Sequence, residues 1–198
     1  MVGRKQFDVD AALEQAMLTF WRQGYAETSL GDLTTATGLN RSSLYATFGD
    51  KSQLFLSCLE RYAQRYGERY DRALATAADS PLDAVARFYD VTLDRIADPA
   101  LPTGCLVAQS TMAAPALPPG MARRTTQALG AQRDRLRAAL AHTRLDPQEA
   151  DRLALHLAAV NQSLAVLSRA EVPARQLRSV ADVAVATLAH ALDAAGQR

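Results

Sequence analysis

The sequence predicts an all-α protein, and three observations carry that expectation. Apolar residues recur at helical spacing along most of the chain, with no alternating strand pattern and no internal repeat. Alanine and leucine abound while aromatic residues make up only 6% of the 198 residues, a composition that favours helices. The apolar runs are punctuated by helix starts and stops: Ser, Asp or Asn at caps, Pro in first turns, Gly just past ends. About nine helices are expected, with a three-helix N-terminal head containing a helix-turn-helix and a longer C-terminal helical domain, divided as residues 4–50 and 51–198.

Residues 1–7 form a short arm carrying Arg4 and Lys5. Helix one runs from Asp8 to Gln23, with Leu13, Ala16, Met17, Phe20 and Trp21 on one stripe, and Gly24 ends it. Trp21 lies on that stripe and reads as core. Ser29 with Asp32 has the spacing of a capping box, in which each side chain bonds the other's free backbone N–H. Leu30, Leu33 and Ala36 then share a face until Gly38, which enters the left-handed conformation without a Cβ penalty. Asn40 caps a third helix, with Leu39 and Leu44 at the staple positions on either side. Leu44 and Phe48 face inward; Arg41, Ser42, Ser43 and Thr47 are left outward. The hairpin spans about residues 29–48. A plain αα-hairpin satisfies the same spacing, so the residue types carry the functional reading. Small hydrogen-bonding groups and an arginine near a helix N-terminus are what a helix needs to reach base edges in a major groove.

Asp50 caps a fourth, longer helix reaching about Ala77, with Leu54, Cys58 and Tyr62 on one side and Phe55, Leu59, Tyr66 and Tyr70 on another. Its Arg61, Arg65, Arg69 and Arg72 read mostly as a solvated face. Ser80-Pro81 with Asp83 starts helix five, which ends near Asp98-Pro99. A short helix follows between prolines. Pro118-Pro119-Gly120 precedes helix seven, about Met121 to His142; Asp146-Pro147 starts helix eight, to Arg169; Pro173 opens helix nine, to about Ala195. Helix eight carries Leu153, Leu157, Val160, Leu164 and Leu167 in steps of four and three, a seam for another helix. Leu155, Ala158, Ala159, Gln162 and Val166 give it a second apolar side. Helix nine shows Leu177, Val180, Ala184, Leu188 and Ala191, flanked by Val183 and Leu192. Helices apolar on two sides need partners on both. The expectation is a homodimer through Leu153, Leu157, Val160, Leu164, Leu167, Val180, Ala184 and Leu188; a helix pair buried within a monomer is the alternative.

Net charge is +1, so no overall basic field announces a nucleic-acid partner, and residues 1–50 are slightly acidic. Cys58 and Cys105 are far apart, and no metal spacing, phosphate loop or nucleophile elbow is present. His142, His156 and His190 lack ligand spacing. An enzyme is not expected, nor a metal or cofactor. Without a signal segment or membrane-length apolar run, a reduced, cytoplasmic protein is expected.

The stretch L-Y-A-T-F-G-D-K from Leu44, preceded by G-R-K-Q-F-D from Gly3 and A-L-E-Q-A-M-L-T-F-W-R-Q-G-Y-A-E-T-S-L-G-D-L from Ala12, resembles the TetR family of transcriptional regulators over residues 3–55. The resemblance implies a regulator, with repression the expected sign, binding a palindromic double-stranded operator as a homodimer joined through its last two long helices. A small-molecule effector in the C-terminal domain would release it. Base edges fall to Arg41, Ser42, Ser43 and Thr47; phosphates to Thr28, Ser29, Tyr45 and Lys51; the minor groove or backbone to Arg4 and Lys5. The family often has an aromatic and a His where Ala46 and Thr47 stand, and Gly where Ser163 stands. An effector is expected among Tyr62, Tyr66, Phe88, Tyr89, Gln109 and Met112. Some relatives with a similar Gly-Cys-Leu segment sense electrophiles or oxidants, which makes Cys105 an alternative sensor. A helical protein–protein module without DNA binding and a small cysteine enzyme, for which no paired base is visible, are the remaining alternatives.

Overall fold

Local capping chemistry sets most helix boundaries. The structure, a computed structural model, describes residues 8–197. Among these the order is α1 (Val9–Gln23), α2 (Leu30–Thr37), α3 (Arg41–Phe48), α4 (Lys51–Leu74), α5 (Pro81–Ala97), α6 (Leu106–Met112), a 3-10 turn (Ala114–Ala116), α7 (Pro119–Leu140), α8 (Pro147–Arg169) and α9 (Ala174–Gly196). No strand occurs among the described residues.

Asp8 caps α1 by accepting the Asp10 and Ala11 N–H groups. The Ser29–Asp32 capping box is complete, and Gly38 closes α2 at φ 68°. Asn40 accepts the Ser43 N–H to start α3, and Asp50 accepts the Gln53 N–H to start α4. Two details differ from expectation. Helix α4 ends at Leu74 and the chain turns through residues 75–79 instead of continuing to Ala77. Ser80 makes no side-chain cap, so Pro81 alone marks the start of α5.

One hydrophobic core runs from the head into the body. Phe20 stacks edge-on to Phe55 with centroids 5.2 Å apart, and Trp21 to Tyr62 at 4.9 Å. The expected boundary at residue 50 is therefore the N-cap of α4, with α1 packed against α4 beyond it. Each leucine-sized side chain buried there contributes about 1.5–3 kcal/mol. The α4 arginines correct the reading of a solvated face. Arg65 forms a two-pronged pair with Glu14 at 2.9 and 2.5 Å, and Arg61 bonds Asp10. Both tie α4 to α1. Each pair is partly exposed and contributes below about 1 kcal/mol, so they align the helices more than they stabilise them.

Helix α8 corrects a further expectation. Leu153, Leu157, Leu164, Ala184 and Leu188 are buried inside the chain, where α8 and α9 pack on each other and on α5. The predicted seam is the intrasubunit face. Leu167 is partly buried against the same core. The face left outward is the second one: Leu155, Val166 and Val183 are 57%, 51% and 65% exposed. Val160 and Val180 border a shallow outer groove with His156, Val183 and Thr187, floored by Ala184.

Candidate nucleic-acid interface and adjoining cleft

Helix α3 is held by its apolar side alone, through buried Leu44 and partly buried Phe48. Its polar side faces solvent. Arg41, Ser42 and Thr47 are exposed, Ser43 is half-buried, and Tyr45 is 44% exposed. The Ser42 hydroxyl donates to Asn40 Oδ1 at 2.8 Å, and the Thr47 hydroxyl to the Ser43 carbonyl at 2.8 Å. Their protons are engaged inside the helix, so both hydroxyls present lone pairs outward.

The expected phosphate contacts do not all survive. Thr28 is fully buried and donates to the Gly24 carbonyl, which makes it a structural hydroxyl. Ser29 donates to Asp32 at 2.6 Å through its hydroxyl and at 2.8 Å through its backbone N–H. Both of its donors are spent on the cap. Asp32 in turn is held below the usual carboxylate range, first by the hydrogen bonds from Ser29. Lys51 is half-buried, with Nζ 4.5 Å over the Tyr25 ring. Burial pulls its pKa down, against attraction from Asp32 and Glu27. Tyr45 and Lys51 remain as groups at the edge of the α3 surface. Arg4 and Lys5 lie outside the described residues.

The acidic sum of the head also has a structural explanation. Asp8 and Asp50 cap helices, Asp32 belongs to the capping box, and Asp10 and Glu14 pair with α4 arginines. These carboxylates serve backbone N–H groups and guanidinium groups within the fold. Glu14 is accordingly held below its ordinary range, chiefly by the hydrogen bond from Arg65, against the opposing effect of burial.

Above the head, α4 and α7 separate around a cleft of about 620 Å³, with Val107 of α6 contributing to its wall. Tyr62, Tyr66 and Tyr70 line it from α4; Arg124, Gln127, Gln132 and Arg135 line it from α7. Of the expected effector contacts, only Tyr62 and Tyr66 border this space. Phe88 is core, packed on Tyr70 at 4.6 Å. Tyr89 is core with its hydroxyl donating to the Leu157 carbonyl. Gln109 bonds Arg169 and the Phe20 carbonyl instead, and Met112 is 75% exposed. The α7 wall was missed because its polar residues alternate with alanines and read as a solvent face; no signal along α7 itself marks it. Behind the wall, the Tyr70 and Thr92 hydroxyls bond each other, Thr92 donates to Asn161, and Asn161 donates to Gln132. This chain joins α4, α5, α8 and α7.

The cleft communicates with the head through aromatic rings. Trp21 of α1 meets both Tyr62 and Tyr66, at 4.9 and 6.3 Å between centroids. On the far side of these rings lies Arg95, buried to 2% exposure. Its guanidinium sits 5.4 Å from the Tyr66 ring and 5.7 Å from the Trp21 ring, and donates to the Gly104 carbonyl. It makes no ion pair with a carboxylate among the described residues, and its Nε has no partner. Cys105 follows Gly104 directly and is buried. Cys58, packed between α4 and α1, has its thiol pushed far up by burial.

Comparison with known proteins places these features among relatives. The family model described as "Bacterial regulatory proteins, tetR family" matches residues 12–58. The chain is 38% identical over 103 residues to the HTH-type transcriptional repressor ComR of Escherichia coli (strain K12), covering 52% of this chain and 49% of that protein. It is 32% identical over 112 residues to the uncharacterized HTH-type transcriptional regulator YezE of Bacillus subtilis (strain 168), covering 56% and 57%. The chain thus spans about half the length of the curated relatives it matches. Among solved structures, it is similar to a cysteine mutant of the TetR family transcriptional regulator CifR complexed with 26 bp double-strand operator DNA, with 31% identity, TM-score 0.78, and coverage of 91% and 97%. A TetR transcriptional regulator from Chloroflexus aurantiacus J-10-FL is similar at 25% identity and TM-score 0.76, with coverage of 91% and 93%.

Proposed function

The chain belongs to the TetR family of bacterial regulatory proteins, and from that membership we propose that it is a ligand-responsive repressor holding a palindromic operator as a homodimer. Residues 4–50 serve as the DNA-binding head and residues 51–198 as the regulatory and dimerising part. The observation that carries this reading is the exposed polar side of α3. Arg41 offers a guanidinium fork suited to guanine O6 and N7. Ser42 and Thr47, whose protons are engaged internally, offer acceptors to the amino groups of adenine or cytosine. Tyr45 and Lys51, with Arg4 and Lys5, serve the phosphates, which fix register without reading sequence. That the similar CifR mutant is complexed with double-strand operator DNA supports the DNA-binding reading.

The outward apolar face of α8 and α9, with Leu155, Val166 and Val183, is the pairing surface. Pairing sets the separation of the two α3 helices, and both half-sites are engaged only at about one helical turn or a multiple. A ligand in the α4–α7 cleft presses on Tyr62 and Tyr66, which bear on Trp21 of α1. Release follows if the ligand favours the state with α3 helices misplaced for the operator. The test is a mobility shift with the DNA upstream of the reading frame, repeated over salt. Affinity should fall with a log–log slope of roughly −5 or steeper. No shift, or a flat slope, removes the DNA-binding reading and leaves the protein–protein module.

A second reading has its own observation: the buried Arg95 guanidinium beside Cys105 without a carboxylate partner. Sulfur is the nucleophile this segment offers. In this reading the Cys105 proton passes to solvent and sulfur adds to an electrophilic alkene. The displaced π pair then takes a proton from water, and the new bulk crowds the segment at Gly104 that Arg95 holds, 5.7 Å from the Trp21 ring.

A further inference from the structure

We infer that the α4–α7 cleft selects a ring-bearing carboxylate, with the ring on the α4 side and the charge on the α7 side. The inference rests on the reading of this cleft as the effector site. The argument starts from what α7 offers. Arg135 is held in place: its Nε and Nη2 donate to the Asp71 carboxylate at 2.7 and 3.4 Å and its Nη1 to the carbonyl of Ala131 on its own helix. Its guanidinium lies directly over Gly67 of α4, where a Cβ would stand only 2.6 Å from Nη2. Glycine at this position leaves room for the guanidinium tip, which a Cβ would make shift. About three turns earlier on α7, Arg124 makes no ion pair among the described residues. Gln132 is oriented from behind. Its Oε1 accepts N–H groups from both Asn161 and Gln162, so only its own N–H groups are left to offer.

The α7 wall therefore presents the guanidinium of Arg124, free of any ion pair among the described residues, the Asp71-paired guanidinium of Arg135 and the amides of Gln127 and Gln132, with no carboxylate among its lining residues. A neutral or cationic ligand would leave the Arg124 guanidinium and the Gln132 N–H groups facing either an apolar surface or a like charge, at a cost in affinity. A carboxylate satisfies them and fits the fork geometry of arginine. The α4 wall is different in kind. Tyr62 and Tyr66 lie with ring centroids 4.6 Å apart and tilted by 49°, and Leu59 and Ala63 continue their surface. That wall takes an apolar ring. Glu60 is the single carboxylate lining the cleft; it stands on α4, exposed, so it repels an acid that enters with the opposite orientation. The volume of about 620 Å³ suits one or two fused rings with room for ordered water.

The chain has a single tryptophan, Trp21, and it touches the two tyrosines of the ring-binding wall. Its fluorescence is a direct reporter of occupancy. The full-length protein is titrated with 2-naphthoate, 2-naphthamide and 2-naphthylmethylamine, followed by calorimetry and by Trp21 emission at a wavelength clear of naphthyl absorption. Naphthoate should bind at least tenfold more tightly than the amide, and the amine weakest. Arg124→Ala with Gln132→Leu should erase the preference of acid over amide. Equal affinities, a preference for the amide or amine, an acid preference that survives both substitutions, or no binding by any of the three overturns the inference. The reading beneath it is tested separately by Ala131→Trp, which fills the cleft with a ring irrespective of charge. If this variant melts cooperatively and loses operator affinity while the acid preference fails, only the ligand class is wrong. If it keeps full operator affinity, the cleft is not the effector site, and the inference falls with that reading.

Discussion

Substituting Val183→Glu should convert the protein to monomers without unfolding it. The side chain is 65% exposed in the isolated subunit, so the subunit itself should lose below about 0.5 kcal/mol. The dimer pays twice, because a two-fold interface repeats every change. Each copy loses about 1 kcal/mol of apolar burial. Each also places a carboxylate without a partner against Leu155 or Val166, at about 1–3 kcal/mol. At the low end this sums to about 4 kcal/mol per dimer, roughly a thousandfold in the dimer dissociation constant. Sedimentation equilibrium measures that constant, and circular dichroism follows the melt. The control is Leu164→Glu, which puts the same charge at a fully buried position between α8 and the body. It should collapse the melt, with oligomeric state following only as a consequence. The reasoning is refuted if Val183→Glu remains dimeric at concentrations where wild type is dimeric, or if Leu164→Glu gives a folded monomer. Either result would mean that the partner covers the inner seam and that the outward face is simple surface.

Three further outcomes are expected. Arg41→Ala should weaken operator binding by about 1–3 kcal/mol and relax preference at one position per half-site, read by mobility shifts on a panel of single-base operator variants; uniform weakening would make it a phosphate contact. Glu14 is held below its ordinary range in the folded protein by Arg65, so the unfolded chain binds its proton more tightly. The contribution is therefore complete above the unfolded carboxylate range and fades as pH falls through the lowered folded value. Glu14→Gln should reduce the melting temperature at neutral pH by an amount corresponding to below about 1 kcal/mol, discounted for solvent exposure, and flatten the acid limb of the melting-temperature profile; an unchanged acid limb would refute the assignment. Under the Cys105 reading, N-ethylmaleimide should release operator from wild type and not from Cys105→Ser, while Cys58, deep between α1 and α4 with a raised pKa, should stay unlabelled by mass spectrometry. Equal responses in both proteins would leave Cys105 a packing residue.

What the sequence determined by itself is everything governed by neighbours a few residues apart. The Ser29–Asp32 box, the Asn40 and Asp50 caps, Pro81 and Pro147 at helix starts, and the left-handed Gly38 involve partners within one turn, and sequence analysis located each. The polar side of α3 belongs to the same class, because its composition follows directly from the positions that Leu44 and Phe48 leave over. Tertiary structure decided the questions that periodicity leaves open. Helix α8 has two apolar sides, and a period of 3.6 residues says nothing about which one meets the subunit's own core. Packing against α5 and α9 turned Leu157 and Leu164 inward, leaving Leu155 and Val166 for solvent or a partner. The ring of groups around Trp21 joins residues from α1, α4 and α5, and the cleft pairs Gly67 with Arg135 across 68 positions of chain. Their side chains look ordinary in sequence: a core tyrosine, a surface arginine, a helix glycine. They come together only where helix packing brings a guanidinium over a helix glycine, and such encounters depend on interhelical geometry that no local pattern encodes.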